Sequence, residues 1–67
     1  MDYVQNLKRY RQIANLTQEQ AAEKLLIPRT QLVRYEKGIN EIPIRYLIEL
    51  CKLYKTTPND ILGFESV

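Results

Sequence analysis

The side chains best suited to chemistry in this sequence are cations and short polar groups that share one face of a short segment. Thr30, Val33, Arg34 and Lys37 stand at i, i+3, i+4 and i+7, the spacing of one helical face, and Arg29 lies beside them at the leading end. A guanidinium presents donors in a planar fork that matches phosphate oxygens and the O6 and N7 acceptors of guanine. Catalysis has far less to work with. The chain has no histidine, and Glu19 and Glu23, an acid pair at i, i+4, have no partner set that would make a general acid–base dyad. The single Cys51 excludes a disulfide within the chain, and without histidine no plausible zinc ligand set remains. Cys51 falls on an apolar helical face, where a buried small side chain is the expectation rather than a reactive thiol. No catalytic residue, metal or cofactor is therefore expected.

The total charge says less than its distribution. Ten basic and eight acidic side chains give a net charge of +2, with a sequence pI near 8.8, short of the basicity that alone announces a nucleic-acid binder. From Lys24 to Tyr35, however, the chain carries Lys24, Arg29 and Arg34 and no acid. An arginine in the first turn of a helix also opposes the helix dipole, a loss of roughly 0.3–1 kcal/mol unless an anion compensates. A nucleic-acid backbone would supply that anion.

These side chains need a scaffold, and Leu16 to Gly38 reads as two short helices joined by a tight corner. Thr17 and Gln20 form a capping box that opens the first, and Ala21, Ala22 and Leu25 recur on one face. The pattern breaks at Leu26-Ile27-Pro28, and Pro28 suits the first residue of the next helix. There Leu32 and Tyr35 point inward, and Gly38 provides a left-handed stop. Upstream, Asp2 with Gln5 can open a helix that buries Tyr3, Leu7, Tyr10 and Ala14 and ends at Asn15. Downstream, Pro43 is placed to begin a helix running to about Tyr54, with Ile44, Leu47, Ile48, Cys51 and Tyr54 at helical period. Tyr46, on its less apolar side, is expected to be exposed. Thr57-Pro58-Asn59-Asp60 signals a short fifth helix ending at Gly63.

No segment alternates as a strand would, so the expected fold is all-α, a compact five-helix bundle forming one domain over residues 1–67. A chain of this size buries only about 60% of its unfolded surface, so modest stability is expected. The charged N-terminal stretch lacks the apolar core of a signal peptide, and no run approaches the length of a membrane span. The expected location is the cytoplasm, with no membrane partner and no evident small-molecule substrate.

In their order and spacing, LTQEQAAEKL, RTQLVRYEKG and EIPIRYLIELCKLYKTTPNDILG resemble the lambda-repressor-like helix-turn-helix family, the Cro, phage-repressor or XRE type, over about Leu7 to Gly63. The resemblance implies a helix-turn-helix core over about 17–37 whose second helix lies in the major groove of double-stranded DNA. By position it implies base contacts from Arg29, Thr30, Gln31, Val33 and Arg34. Gln18, Thr17, Lys37 and Asn40 would contact phosphate, and Arg11 and Glu36 would form a structural ion pair. Leu26 stands where the family usually has glycine. The corner then either holds a side-chain-bearing residue at positive φ, costing about 1–2 kcal/mol, or takes another shape. Pro28 replaces the usual Ser or Thr cap.

Ile39, Ile42, Ile44 and Ile48 are more apolar surface than a loop and helix this small bury within one subunit, which suggests a homodimer contact. The competing surface is the fifth helix and tail, with Ile61 and Phe64. The function these features imply is a sequence-specific transcriptional regulator of repressor type on a pseudo-palindromic operator. Two alternatives stay open: an antitoxin-like or restriction-controller autoregulator, and a protein-interaction module that has lost DNA binding.

Overall fold

The computed structural model describes residues 3–63. Five helices follow one another: α1 (Tyr3–Ile13), α2 (Gln18–Leu25), α3 (Arg29–Glu36), α4 (Ile44–Tyr54) and α5 (Pro58–Leu62). Among the described residues there is no strand. The expected cap at Asp2 and the contact at Phe64 lie outside this range.

The helix starts follow local chemistry. Thr17 caps α2 with a complete capping box: its hydroxyl oxygen accepts from the Gln20 N–H at 3.0 Å, and its own N–H donates to Gln20 Oε1 at 2.9 Å. Thr57 caps α5 by accepting from the Asp60 N–H at 3.1 Å, with Pro58 as the first helical residue. Pro28 and Pro43 sit one place earlier than the sequence suggested. Each is the extended cap residue, with φ/ψ of −61/145° and −61/148°, and its carbonyl accepts the first intrahelical bond. The fixed proline φ suits the cap as well as the first turn, because the missing N–H would have no helical partner in either place.

Left-handed residues end these helices. Asn15, Leu26, Gly38, Lys55 and Gly63 all have positive φ, and at the first four the chain closes with paired bonds back onto the last turn. Leu26 adopts φ 59° and ψ 39°, so the corner between α2 and α3 keeps the shape glycine would have given it and carries the strain. Its side chain is 92% exposed.

Leu7, Ala21, Ala22, Leu32, Tyr35, Leu47, Leu50, Cys51, Tyr54 and Ile61 form one core, with Tyr3, Tyr10, Ala14, Leu16 and Leu25 among the residues packed around it. Ala21 and Ala22 are small enough for α2 to lie close against α3 and α4. Two expectations change here. Ile61 is fully buried in the monomer and therefore fills the core instead of facing a partner. Tyr46 is half-buried, its ring 6.3 Å from that of Tyr35 and under the Arg45 guanidinium at 4.8 Å.

Candidate nucleic-acid interface

α3 divides into an inner and an outer face. Leu32, Tyr35 and Glu36 are buried, whereas Arg29, Thr30, Arg34 and Lys37 are exposed and Val33 and Gln31 are half-buried. The one acid of α3 is turned inward, so its outer face is cationic without an exposed carboxylate.

Glu36 organises the inner side. Arg11 of α1 donates from Nε to Glu36 Oε2 at 2.7 Å and from Nη2 to Oε1 at 3.1 Å, a two-point contact between side chains that are both nearly inaccessible. Arg11 Nη1 also donates to the Leu16 carbonyl at 2.8 Å, tying the α1–α2 connection into the same site. Gln18 Nε2 donates to Glu36 Oε1 at 3.0 Å, and Gln18 Oε1 faces Arg29 Nη2 at 3.4 Å. One chain of polar contacts thus runs from α1 through the end of α3 to the start of α2 and back to the start of α3.

Tyr54 lies close enough to this seam to feel its charges, and its buried hydroxyl has no hydrogen-bond partner among the described residues. Burial first and the Glu36 charge second push its phenol well above the ordinary range, with Arg11 opposing. No sequence pattern pointed to this hydroxyl. Cys51, also buried, has its thiol pushed up by burial and then by Asp60.

Two shallow concavities of about 430 Å³ flank the outer face of α3. One is lined by Arg11, Leu16, Thr17, Gln18, Glu19 and Arg29 at the start of α2. The N–H groups of Gln18 and Glu19 have no partners among the described residues, as helix starts leave them. Thr17 and Gln18 line this concavity with reduced capacity, because the Thr17 oxygen is engaged in the cap and one Gln18 N–H in the Glu36 contact. The other concavity is lined by Pro28, Thr30, Gln31, Arg34, Tyr35, Asn40 and Glu41. Within it Gln31 Nε2 donates to the Tyr35 hydroxyl at 2.7 Å, and Arg34 Nε donates to Asn40 Oδ1 at 2.6 Å.

The structure therefore brings Arg29, Thr30, Gln31, Val33 and Arg34 onto one helix, with Thr17 and Gln18 at one margin and Asn40 at the other. Lys37 stands exposed at the far end of α3. Of the apolar residues singled out in the sequence, Ile39, Ile44 and Ile48 are 55, 69 and 42% exposed, and Ile42 is half-buried against the core. Ile44 and Ile48 stand on α4, and Ile39 and Ile42 on the loop before it.

Two helices held at a tight corner, the second with its polar face outward, define a helix-turn-helix domain. A helix-turn-helix family model matches residues 7–61. The chain belongs to this XRE-type family of DNA-binding transcriptional regulators. It is 36% identical over all of its 67 residues to the HTH-type transcriptional regulator ImmR of Bacillus subtilis, covering 53% of that protein. It is 34% identical over 59 residues to the uncharacterized HTH-type transcriptional regulator MJ0272 of Methanocaldococcus jannaschii, covering 88% of this chain and 89% of that one. A third relative, the uncharacterized regulator YobD of Bacillus subtilis, is 36% identical over 61 residues, covering 91% of this chain and 54% of YobD. The chain thus spans about half the length of ImmR and YobD. No solved structure matches it. No helix among the described residues is long and apolar enough to cross a membrane.

Proposed function

We propose that the chain acts as a repressor-type regulator in the cytoplasm, binding a pseudo-palindromic DNA operator as a homodimer with α3 of each copy in a major groove. The observation that carries this reading is the outward face of α3: Arg29, Thr30, Arg34 and Lys37 exposed together, with Glu36 turned inward and bound by Arg11. Arg29 opposes the dipole at the start of α3 and repels the other cations of the face, an anion relieves both, and a duplex offers phosphates at its margins and base acceptors at its floor. Arg29 and Arg34 reach base edges, Thr30 and Val33 meet thymine methyl groups, and Gln18, Thr17, Lys37 and Asn40 hold phosphates. Ile39, Ile44 and Ile48 supply the apolar contact between copies, since Ile61 is enclosed within each monomer.

Selection of bound sequences from random duplex DNA tests this. The expected result is an inverted repeat with half-sites about one helical turn, roughly 34 Å, apart. Enrichment of no sequence, or of one unrepeated half-site, would contradict it.

A further inference from the structure

Resting on the reading that α3 enters the major groove, we propose that Asn40 is a positioning residue that fixes how Arg34 reads its base. The sequence placed Asn40 among phosphate contacts only. In the structure its side-chain oxygen accepts from Arg34 Nε at 2.6 Å. An arginine nitrogen can only donate, so the amide oxygen of Asn40 must be the atom facing it, and the Asn40 Nδ2 is turned away.

The backbone sets this contact. Gly38, at φ 75°, reverses the chain at the end of α3, with the Gly38 N–H donating to the Tyr35 carbonyl at 3.1 Å and the Ile39 N–H to the Arg34 carbonyl at 3.0 Å. The Asn40 N–H leans on the same Arg34 carbonyl at 3.4 Å. Residue 40 is thus held over residue 34 by the main chain, and the side-chain contact completes a closed arrangement at the rim of the concavity that Thr30 and Gln31 also line.

The consequence is a choice of edge. A guanidinium can meet an acceptor pair side-on, through Nε and one Nη, or end-on, through both Nη groups. With Nε engaged by Asn40, the end-on pair remains, and it is aimed before DNA arrives. A guanine, with O6 and N7 side by side in the major groove, is the base that offers two acceptors to such a fork. Holding a long side chain in its bound rotamer beforehand lowers the ordering cost of recognition. The Asn40 Nδ2, on the far side of the amide, remains free to donate to a phosphate.

Competition binding decides it, using the selected operator and duplexes in which each base pair of one half-site is replaced in turn, with thermal unfolding of every variant as a check on folding. Wild type is expected to prefer guanine at one pair by about fivefold or more, and Arg34→Ala to abolish that preference. Asn40→Ala is expected to reduce discrimination at the same pair and at no other. Asn40→Asp, which keeps the acceptor but brings a carboxylate toward phosphate, is expected to weaken all duplexes while retaining the preference for guanine. If Asn40→Ala lowers every duplex equally with the preference intact, or Asn40→Asp loses the preference as the alanine variant does, the positioning role is overturned. If Arg34→Ala leaves every preference unchanged, the groove assignment of Arg34 fails and the role of Asn40 falls with it.

Discussion

α3 and α4 begin with the same local plan and end with opposite surfaces. Ile27-Pro28 precedes one and Ile42-Pro43 the other, the two prolines have nearly identical dihedrals, and neither cap is closed by a side chain. The isoleucine before each cap and the leucine at the fourth helical position, Leu32 or Leu47, have the spacing of a hydrophobic staple. Both helices then bury their fourth, seventh and eighth residues: Leu32, Tyr35 and Glu36 in α3, Leu47, Leu50 and Cys51 in α4. At the first and sixth positions α3 exposes Arg29 and Arg34, whereas α4 exposes Ile44 and Glu49. Folding instructions and surface chemistry are thus written at different positions of one repeated frame. The same start yields a cationic face in one helix and, in the other, a mixed one, where exposed Ile44 and Ile48 accompany the Lys52–Glu49 pair at 3.7 Å.

The two helices differ most at the eighth position, Glu36 in α3 and Cys51 in α4. Glu36→Ala removes one half of a buried ion pair, leaving Arg11 charged in the interior, and is expected to cost about 3–5 kcal/mol. A domain of this size has only about 3–10 kcal/mol in total, so the variant should lose most of its stability, read as a urea midpoint. Cys51→Ala, at the matching position, creates a small cavity and should cost about 1 kcal/mol. Equal losses at the two positions would mean that the polar seam contributes nothing beyond packing.

The fifth position separates the two proposed surfaces. Ile48→Glu replaces an exposed isoleucine of α4 with a charge and should weaken dimerisation by tenfold or more, about 1.4 kcal/mol, by sedimentation. Val33→Glu should leave the dimer intact and reduce DNA affinity. Reversal of these outcomes would exchange the roles of the helices.

Alkaline pH tests two buried groups of α4. Cys51 has its thiol raised from the ordinary 9.0 and Tyr54 its phenol from 10.0. The folded state holds these protons while the unfolded chain releases them, so stability is full below about pH 9 and falls as pH rises through the unfolded values. Urea midpoints at pH 8 and 10.5 should differ in that direction, and Tyr54→Phe should flatten part of the difference.

The smallest expected effect concerns the corner that sets α3 apart from α4. Leu26→Gly removes about 1–2 kcal/mol of left-handed strain and adds about 0.5–1 kcal/mol of unfolded-state freedom. Because the Leu26 side chain is almost wholly exposed, little packing is lost, and a net gain of about 0.5–1 kcal/mol is expected from thermal unfolding.

Most of the helical frame was legible in the sequence because its signals are local. Capping at Thr17 and Thr57, apolar period, and stops at Asn15, Gly38 and Gly63 each act within a few residues. The margins were less legible for the same reason. Proline satisfies the cap and the first turn equally well, so Pro28 and Pro43 could be placed only to within one residue. Ile61 and Ile44 are the same residue type, yet one is enclosed and the other exposed. Which is which depends on how α1 and α5 pack, a matter of contacts distant in sequence. Asn40 reaches Arg34 only through the reversal at Gly38, and Tyr54 approaches Glu36 only across the core. On the candidate interface, residue types gave the cations, and the chain's path gave their partners.

The claim that the face of α3, rather than that of α4, meets DNA is tested most directly by titrating the protein with its selected duplex and following backbone amide resonances. The largest changes are expected at Arg29–Arg34, at Gln18 and Glu19, and at Asn40, with the amides of Ile44–Glu49 changing little in the preformed dimer. Changes centred on α4, with α3 undisturbed, would contradict it.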